Sequence, residues 1–259
     1  GEVKTINYLS QQAINKANTI YHIQYDYDLN GETITIPENC VLYFAGGSIG
    51  NGTLVAQNTV INTALCKIFD SIEFRGKFVT DYVYPEWFGA KGDLNTENSL
   101  AGTDDSEAFT QALKVSYELE VPIYLTNSYL ISKEINTTYP IRLVGSRIAS
   151  GYEGKDKSST IGVKGCTAFV MQGEIVPGNY TMTAISVKNI KVRSDYTGNF
   201  IETDAAGAPP RLGMFYECDF EYLSNVITFN NNNKDTSWGI FTIDKCRLGH
   251  SNSIIKTNS

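Results

Sequence analysis

Three stretches near the C-terminus decide the fold: ISVKNIKVRSD (185–195), FYECDFEYLSN (215–225) and FTIDKCRLGHSN (241–252). Laid over one another, they share a period of 28 residues that aligns Ile190 with Cys218 and Cys246. The same step aligns Val192 with Phe220 and Leu248, and Val187 with Phe215 and Ile243. The following run agrees, with NVITF at 225–229 matching SIIKT at 253–257. Short strands with alternating apolar residues, repeated at a fixed interval, describe coils of a β-solenoid, each packing only on its neighbours. Asn189 falls between two such strands, at a corner suited to the left-handed backbone that Asn tolerates.

Upstream, the pattern predicts one convincing helix, in TDDSEAFTQALKVSYELE (103–120). Phe109, Ala112, Leu113 and Tyr117 form a single apolar stripe at helical spacing, and Pro122 limits the far end. The acid pair Asp104–Asp105 sits where a helix start needs acceptors, behind the turn glycines Gly89 and Gly92. Capping therefore outweighs a catalytic dyad. A second, short helix is expected near LSQQAINKA (9–17). From Thr33 the chain breaks into β-prone runs in which Gly46, Gly47, Gly50 and Gly52 mark strands of only a few residues and sharp corners.

Composition bounds the partners. A net charge of −7 without a Lys/Arg block argues against nucleic acid and anionic membranes. No apolar run is long enough for membrane insertion. Five cysteines without C-x-x-C spacing read as free thiols, with Cys218 and Cys246 stacked in adjacent coils rather than bridged. With only His22 and His250 besides, no metal site and no cofactor is expected.

EWFGAKGD (86–93), TDDSEAFTQAL (103–113), VPIYLTNSYLIS (121–132) and IRLVGS (141–146) together resemble the N-terminal segment of the pectate-lyase-like superfamily of right-handed parallel β-helices. DLNGETITIPENCVLYFAGGSIGNGTLVAQNTVI (28–61) is similar to a module that precedes this segment in tailspike-like proteins of gut Bacteroides and their phages. The resemblance covers most of residues 25–145. It implies an all-β, right-handed, single-stranded parallel β-helix with an N-terminal capping helix and a small N-terminal β module. The division expected is 1–80 for the polar segment and β module and 81–259 for the β-helix. The β-helix is expected either to continue past Ser259 or to have its last coil covered by oligomerisation, with a homotrimer as the tailspike precedent.

Departures from the family pattern matter too. The usual short GDGVTDD is stretched to GDLNTENSLAGTDD (92–105), an insertion expected to bulge. Thr126 and Asn127–Ser128 replace the proline and glycine of the following turn. The polygalacturonase signature is not present in order; ETDAAG (202–207) and LGHSN (248–252) are fragments of it at best.

The resemblance implies a polysaccharide partner and an extracellular, cell-surface or phage-tail location. Two function classes follow: a binding or scaffolding module, or a glycoside hydrolase or polysaccharide lyase. The catalytic candidates are Glu217, Asp219 and Glu221, which alternate along one strand, and His250, although a lone loop histidine reads first as a solvated turn residue. Tyr222 and Trp238 are the candidates for stacking on sugar. The 28-residue register weighs against catalysis, because it sets Lys191 and Arg247 on either side of Asp219, Lys245 beside Glu217 and Arg193 beside Glu221. A basic neighbour one coil away favours the ionised carboxylate, the opposite of what a general acid requires. A solvated charge ladder is the favoured reading of this face.

Overall fold

The computed structural model describes residues 2–95, 100–146, 158–172, 175–176, 179–180, 184–203, 212–230 and 240–258. Its C-terminal part is a parallel β-solenoid of five coils with three strands each. The first coil is β8 (Ile123–Leu125), β9 (Ser128–Ile131) and β10 (Ile135–Thr137), and the second β11 (Ile141–Gly145), β12 (Thr160–Val163) and β13 (Thr167–Met171). A two-residue-per-strand hairpin, β14 (Ile175–Val176) and β15 (Asn179–Tyr180), separates these from the third coil. That coil is β16 (Ala184–Lys188), β17 (Lys191–Arg193) and β18 (Asn199–Thr203). Then come β19 (Leu212–Tyr216), β20 (Asp219–Glu221) and β21 (Asn225–Asn230), and last β22 (Ile240–Asp244), β23 (Arg247–Gly249) and β24 (Ser253–Asn258).

Each side of the solenoid stacks one strand per coil, so inward side chains form columns. One runs Ile123–Leu143–Val187–Phe215–Ile243. A second runs Tyr129–Ile161–Val192–Phe220–Leu248. The third runs Ile135–Phe169–Ile201–Ile227–Ile255. All are buried until the last coil, where Ile243, Leu248 and Ile255 become exposed. The predicted 28-residue pairings hold in the last three coils, while β18 pairs with β21 at a step of 26. Asn189 takes the expected left-handed conformation (φ 56°), and Glu217 and Lys245 repeat it at the same corner (both φ 52°). Cys218 and Cys246 are both free thiols, and Cys218 is fully buried.

The N-terminal part is also parallel and coiled, but narrower. It comprises β1 (Glu2–Thr5), β2 (Thr19–Ile23), β3 (Asp26–Asp28), β4 (Thr33–Thr35), β5 (Val41–Phe44), β6 (Ser48–Asn62) and β7 (Phe69–Val79). Ile34, Leu54 and Phe74 stack at a step of 20 residues. Two expectations are corrected here. The glycines do not delimit short strands: β6 runs for 15 residues through Gly50 and Gly52, and it turns at the left-handed Asn51 and Asn58. Gly52 is needed for close approach, since a Cβ there would lie 2.5 Å from Leu29 Cβ. Nor is there a helix over 9–17; Ser10 accepts from the amides of Ala13 and Ile14 in a single turn that buries Ile14.

The predicted helix is present as α1 (Ser106–Glu118), preceded by a 3-10 turn at Pro85–Phe88. Phe109, Ala112 and Leu113 are buried as the stripe requires, whereas Tyr117 is exposed and lies over Tyr139 at 5.3 Å. The chain leaves the helix at a left-handed Glu120 (φ 59°), two residues before Pro122. Packed against β7 on one side and β10 and β11 on the other, α1 lies between the two sets of coils rather than at a free end. One apolar core extends from Ile6 to Phe229 through this joint. The middle of the stretched loop before α1, 96–99, where the bulge is expected, lies outside the described residues; on either side of it Asn95 bridges to Ala101, and Leu94 and Leu100 pack with Leu130 above Gly162. Among the described residues, no helix is long and apolar enough to cross a membrane.

Candidate functional site

On the outer face of β17, β20 and β23, Lys191, Asp219 and Arg247 stand in one column and Arg193, Glu221 and Gly249 in the next. The register read from the sequence is therefore the observed one. Arg247 grips Asp219 with two bonds, Nε to Oδ1 at 2.7 Å and Nη2 to Oδ2 at 2.6 Å. This fork geometry gives strong, oriented, charge-assisted bonds. Lys191 reaches diagonally to Glu221 at 3.0 Å. Glu217 is not part of the strand: it occupies the left-handed corner, where Lys245 approaches it at 3.5 Å. Lys245 also donates to Tyr216 Oη at 2.8 Å, a bond that raises its pKa above the ordinary lysine value.

A pocket of about 350 Å³ opens on this face, lined by Asp219, Glu221, Tyr222, Arg247, Gly249 and His250. Its opening follows from sequence: Gly249 pairs with Glu221 and has no side chain to fill the column. A Cβ at Gly249 would meet Glu221 Cγ only at 3.6 Å, an ordinary contact, so the backbone tolerates a larger residue there.

Tyr222 and His250 occupy one corner in successive coils, both left-handed (φ 57° and 53°), and their rings stack at 5.2 Å and 4°. From the preceding coil the Arg193 guanidinium lies 5.1 Å from the Tyr222 centroid, a cation–π distance, and Tyr196 meets the ring edge-on. With Arg193 before it and His250 after it, Tyr222 offers a ligand its edge and hydroxyl, not an open face. The exposed ring of this stack is that of His250. Trp238 lies outside the described residues. Beneath Asp219, burial pushes the Cys218 thiol up to about 12, so it is no nucleophile.

Chemically, this arrangement presents oriented donors and acceptors: Asp219, Glu221 and Glu217 each accept from a cation. Asp104 and Asp105 are engaged elsewhere. Asp105 stands at the N-cap position of α1 but accepts from the amides of Lys91 (2.7 Å) and Gly92 (3.3 Å), fastening the loop instead of capping the helix. Burial raises its pKa. Asp104 accepts from Ser106 and from the Ser132 amide; burial pushes its pKa up, but these bonds outweigh it and the net shift is downward.

Two features escaped the sequence reading. A groove of about 330 Å³ on the N-terminal coils is lined by Asp26, Asp28, Ser48, Gly50, Asn51 and Asp70. Asp28, Gly50 and Asp70 share one column there, and the Lys67 bond holds the Asp70 carboxyl below its ordinary value. YDYD (25–28) carries two of its acids, but the steps that stack Asp28, Gly50 and Asp70 are unequal, 22 and then 20 residues, so no fixed period marks the column in the sequence. The second is Glu86, buried in the 3-10 turn, whose Oε1 accepts from Tyr129 Oη at 2.6 Å and Asn127 Nδ2 at 3.2 Å, and also from Thr126 Oγ1. Among the described residues, no group of three or more His, Cys, Asp or Glu could hold a metal ion. No family model, no curated protein and no solved structure matches this chain.

Proposed function

We propose that this chain is a polysaccharide-recognising β-helix protein of a cell surface or phage tail, of the right-handed pectate-lyase-like type, which binds or scaffolds glycan without cleaving it at the charged face. The observation that carries the reading is the pocket beside Gly249. It is an open recess whose walls are fixed polar groups: the Asp219–Arg247 fork, the Glu221–Lys191 pair and the exposed His250 ring. Preorganised acceptors and donors around a shallow recess suit the hydroxyls of a sugar, because their orientation is already set before binding. The ion pairs that build the recess hold both carboxylates against Arg247 and Lys191, an arrangement unlike the acid and nucleophile or base that flank the scissile bond in a hydrolase.

Gly249→Leu tests this reading, because it fills the recess while leaving the backbone unstrained. Soluble capsular and dietary polysaccharides are screened for binding to the parent chain, and the variant is then titrated with any that binds. The expected outcome is a loss of about tenfold or more in affinity, about 1.4 kcal/mol, with an unchanged circular dichroism spectrum. Unchanged affinity places the glycan elsewhere. Release of reducing ends by the parent, lost in Asp219→Ala or Glu221→Ala, replaces this reading with the hydrolase or lyase one.

A further inference from the structure

β7 is paired through its ladder on one side only, to β6, with Phe74 opposite Leu54. Its other edge faces α1, and two helix side chains seven residues apart, hence on one face, reach it. Gln111 Oε1 accepts from the Ser71 amide at 3.3 Å, and Glu118 Oε2 accepts from the Phe74 amide at 3.2 Å. An exposed edge is a row of unmet N–H and C=O groups, and here helix side chains meet two of them. The contact joins the last narrow coil to the helix on which the first wide coil packs.

We propose that α1 is a pH-responsive clasp on the open edge of β7, with the Glu118 carboxyl as the jaw that closes more tightly in acid. The geometry supplies the reason. The carboxyl is largely enclosed, and it feels the like charge of Glu73 on β7. Its nearest cation is Lys114 of the same helix at 3.7 Å. Arg75 of β7 is engaged with Glu73 at 2.9 Å, and Arg142 of β11 donates to Ser116 O at 2.7 Å. Lys77 lies further along β7, and Glu86 is turned toward the 126–129 bend.

Burial is the main cause that raises the Glu118 pKa above its ordinary 4.5; the Phe74 amide and Lys114 pull it down without reversing the shift, and Glu73 adds to the rise. A carboxyl raised in the closed state stabilises that state fully below the ordinary value, and the gain is lost as pH rises through the raised value. The neutral acid still offers its C=O to the Phe74 amide. The anion is drawn toward water, and its departure leaves that amide unmet.

The test is amide hydrogen exchange of the full chain across the acid-to-neutral range, corrected for the intrinsic exchange rate. Protection of Phe74 is expected to fall severalfold as pH rises, while Leu54 in the β6 ladder changes little. Glu118→Gln keeps a neutral acceptor, so its Phe74 protection is expected to be high and independent of pH. Glu118→Ala is expected to be low and equally flat; should that variant not fold, the glutamine variant decides. PH-independent protection in the parent, or a glutamine variant that follows the parent's pH profile, overturns the proposal.

Discussion

Asp219 shows how a solenoid face manages a carboxylate. Its side chain is 8% exposed and is held by the Arg247 fork, whereas the Glu217–Lys245 pair stands open to water. Replacing Arg247 by Met is therefore expected to destabilise the fold by about 1–3 kcal/mol, the cost of losing charge-assisted bonds to a buried carboxylate. Lys245→Ala is expected to leave stability unchanged, as exposed pairs contribute little. Urea unfolding of both variants checks the contrast, and equal effects would contradict it. The sequence allowed the neighbours of Asp219 to be named, because a fixed period dictates which residues stack. It did not show that Lys191 reaches across to Glu221, or that Arg193 lies over Tyr222. Those choices belong to rotamers, which no periodicity encodes.

Among elements, the bend between β8 and β9 is held by side chains rather than by turn residues. Thr126 and Asn127 both donate to Glu86, as does Tyr129. The three bonds form a side-chain lock on the bend. Burial first, and then the Glu86 charge, push the Tyr129 phenol well above its ordinary pKa, so it stays a donor. Glu86→Ala removes the acceptor for all three donors and is expected to cost on the order of 3 kcal/mol. Glu86→Gln, which keeps one acceptor oxygen, is expected to cost less. A melt in which both variants match the parent would show that water replaces the lock without penalty. None of this was legible beforehand, because Glu86 and Thr126 are 40 residues apart. The helix itself was legible from its stripe, but the role of Asp105 was not: an N-cap position identifies a residue type, and the backbone of Lys91 and Gly92 competed for its side chain. Residues 9–17 misled for a related reason. Their polar, alanine-containing composition favours a helix only weakly, and burial of Ile14 beneath the coils prevails over propensity.

At the scale of the molecule, two solenoids of different width share one core through α1. The wide coils were legible only where their spacing is regular. From Leu143 to Val187 the step is 44 residues, because segments outside the repeat are inserted, so alignment by period fails there although the strands pair without interruption. Nearest-neighbour packing has a consequence for how this chain opens. Coils hold one another through the apolar surface they share, so local stability should grade with the burial of each coil. In the third coil, Val187 and Val192 are fully buried, whereas in the last, Ile240 is 72% and Leu248 40% exposed. Amide exchange in β22–β24 is therefore expected to be the fastest of the five wide coils, that in β19–β21 slower, and that in β16–β18 slower still. The strands β16–β18 and β19–β21 are laddered on both sides, so a difference between these two coils would isolate the contribution of apolar stacking from that of the backbone. Uniform protection from β16 to β24 would mean that the wide coils open as one cooperative unit, and the nearest-neighbour description of this solenoid would have to be abandoned.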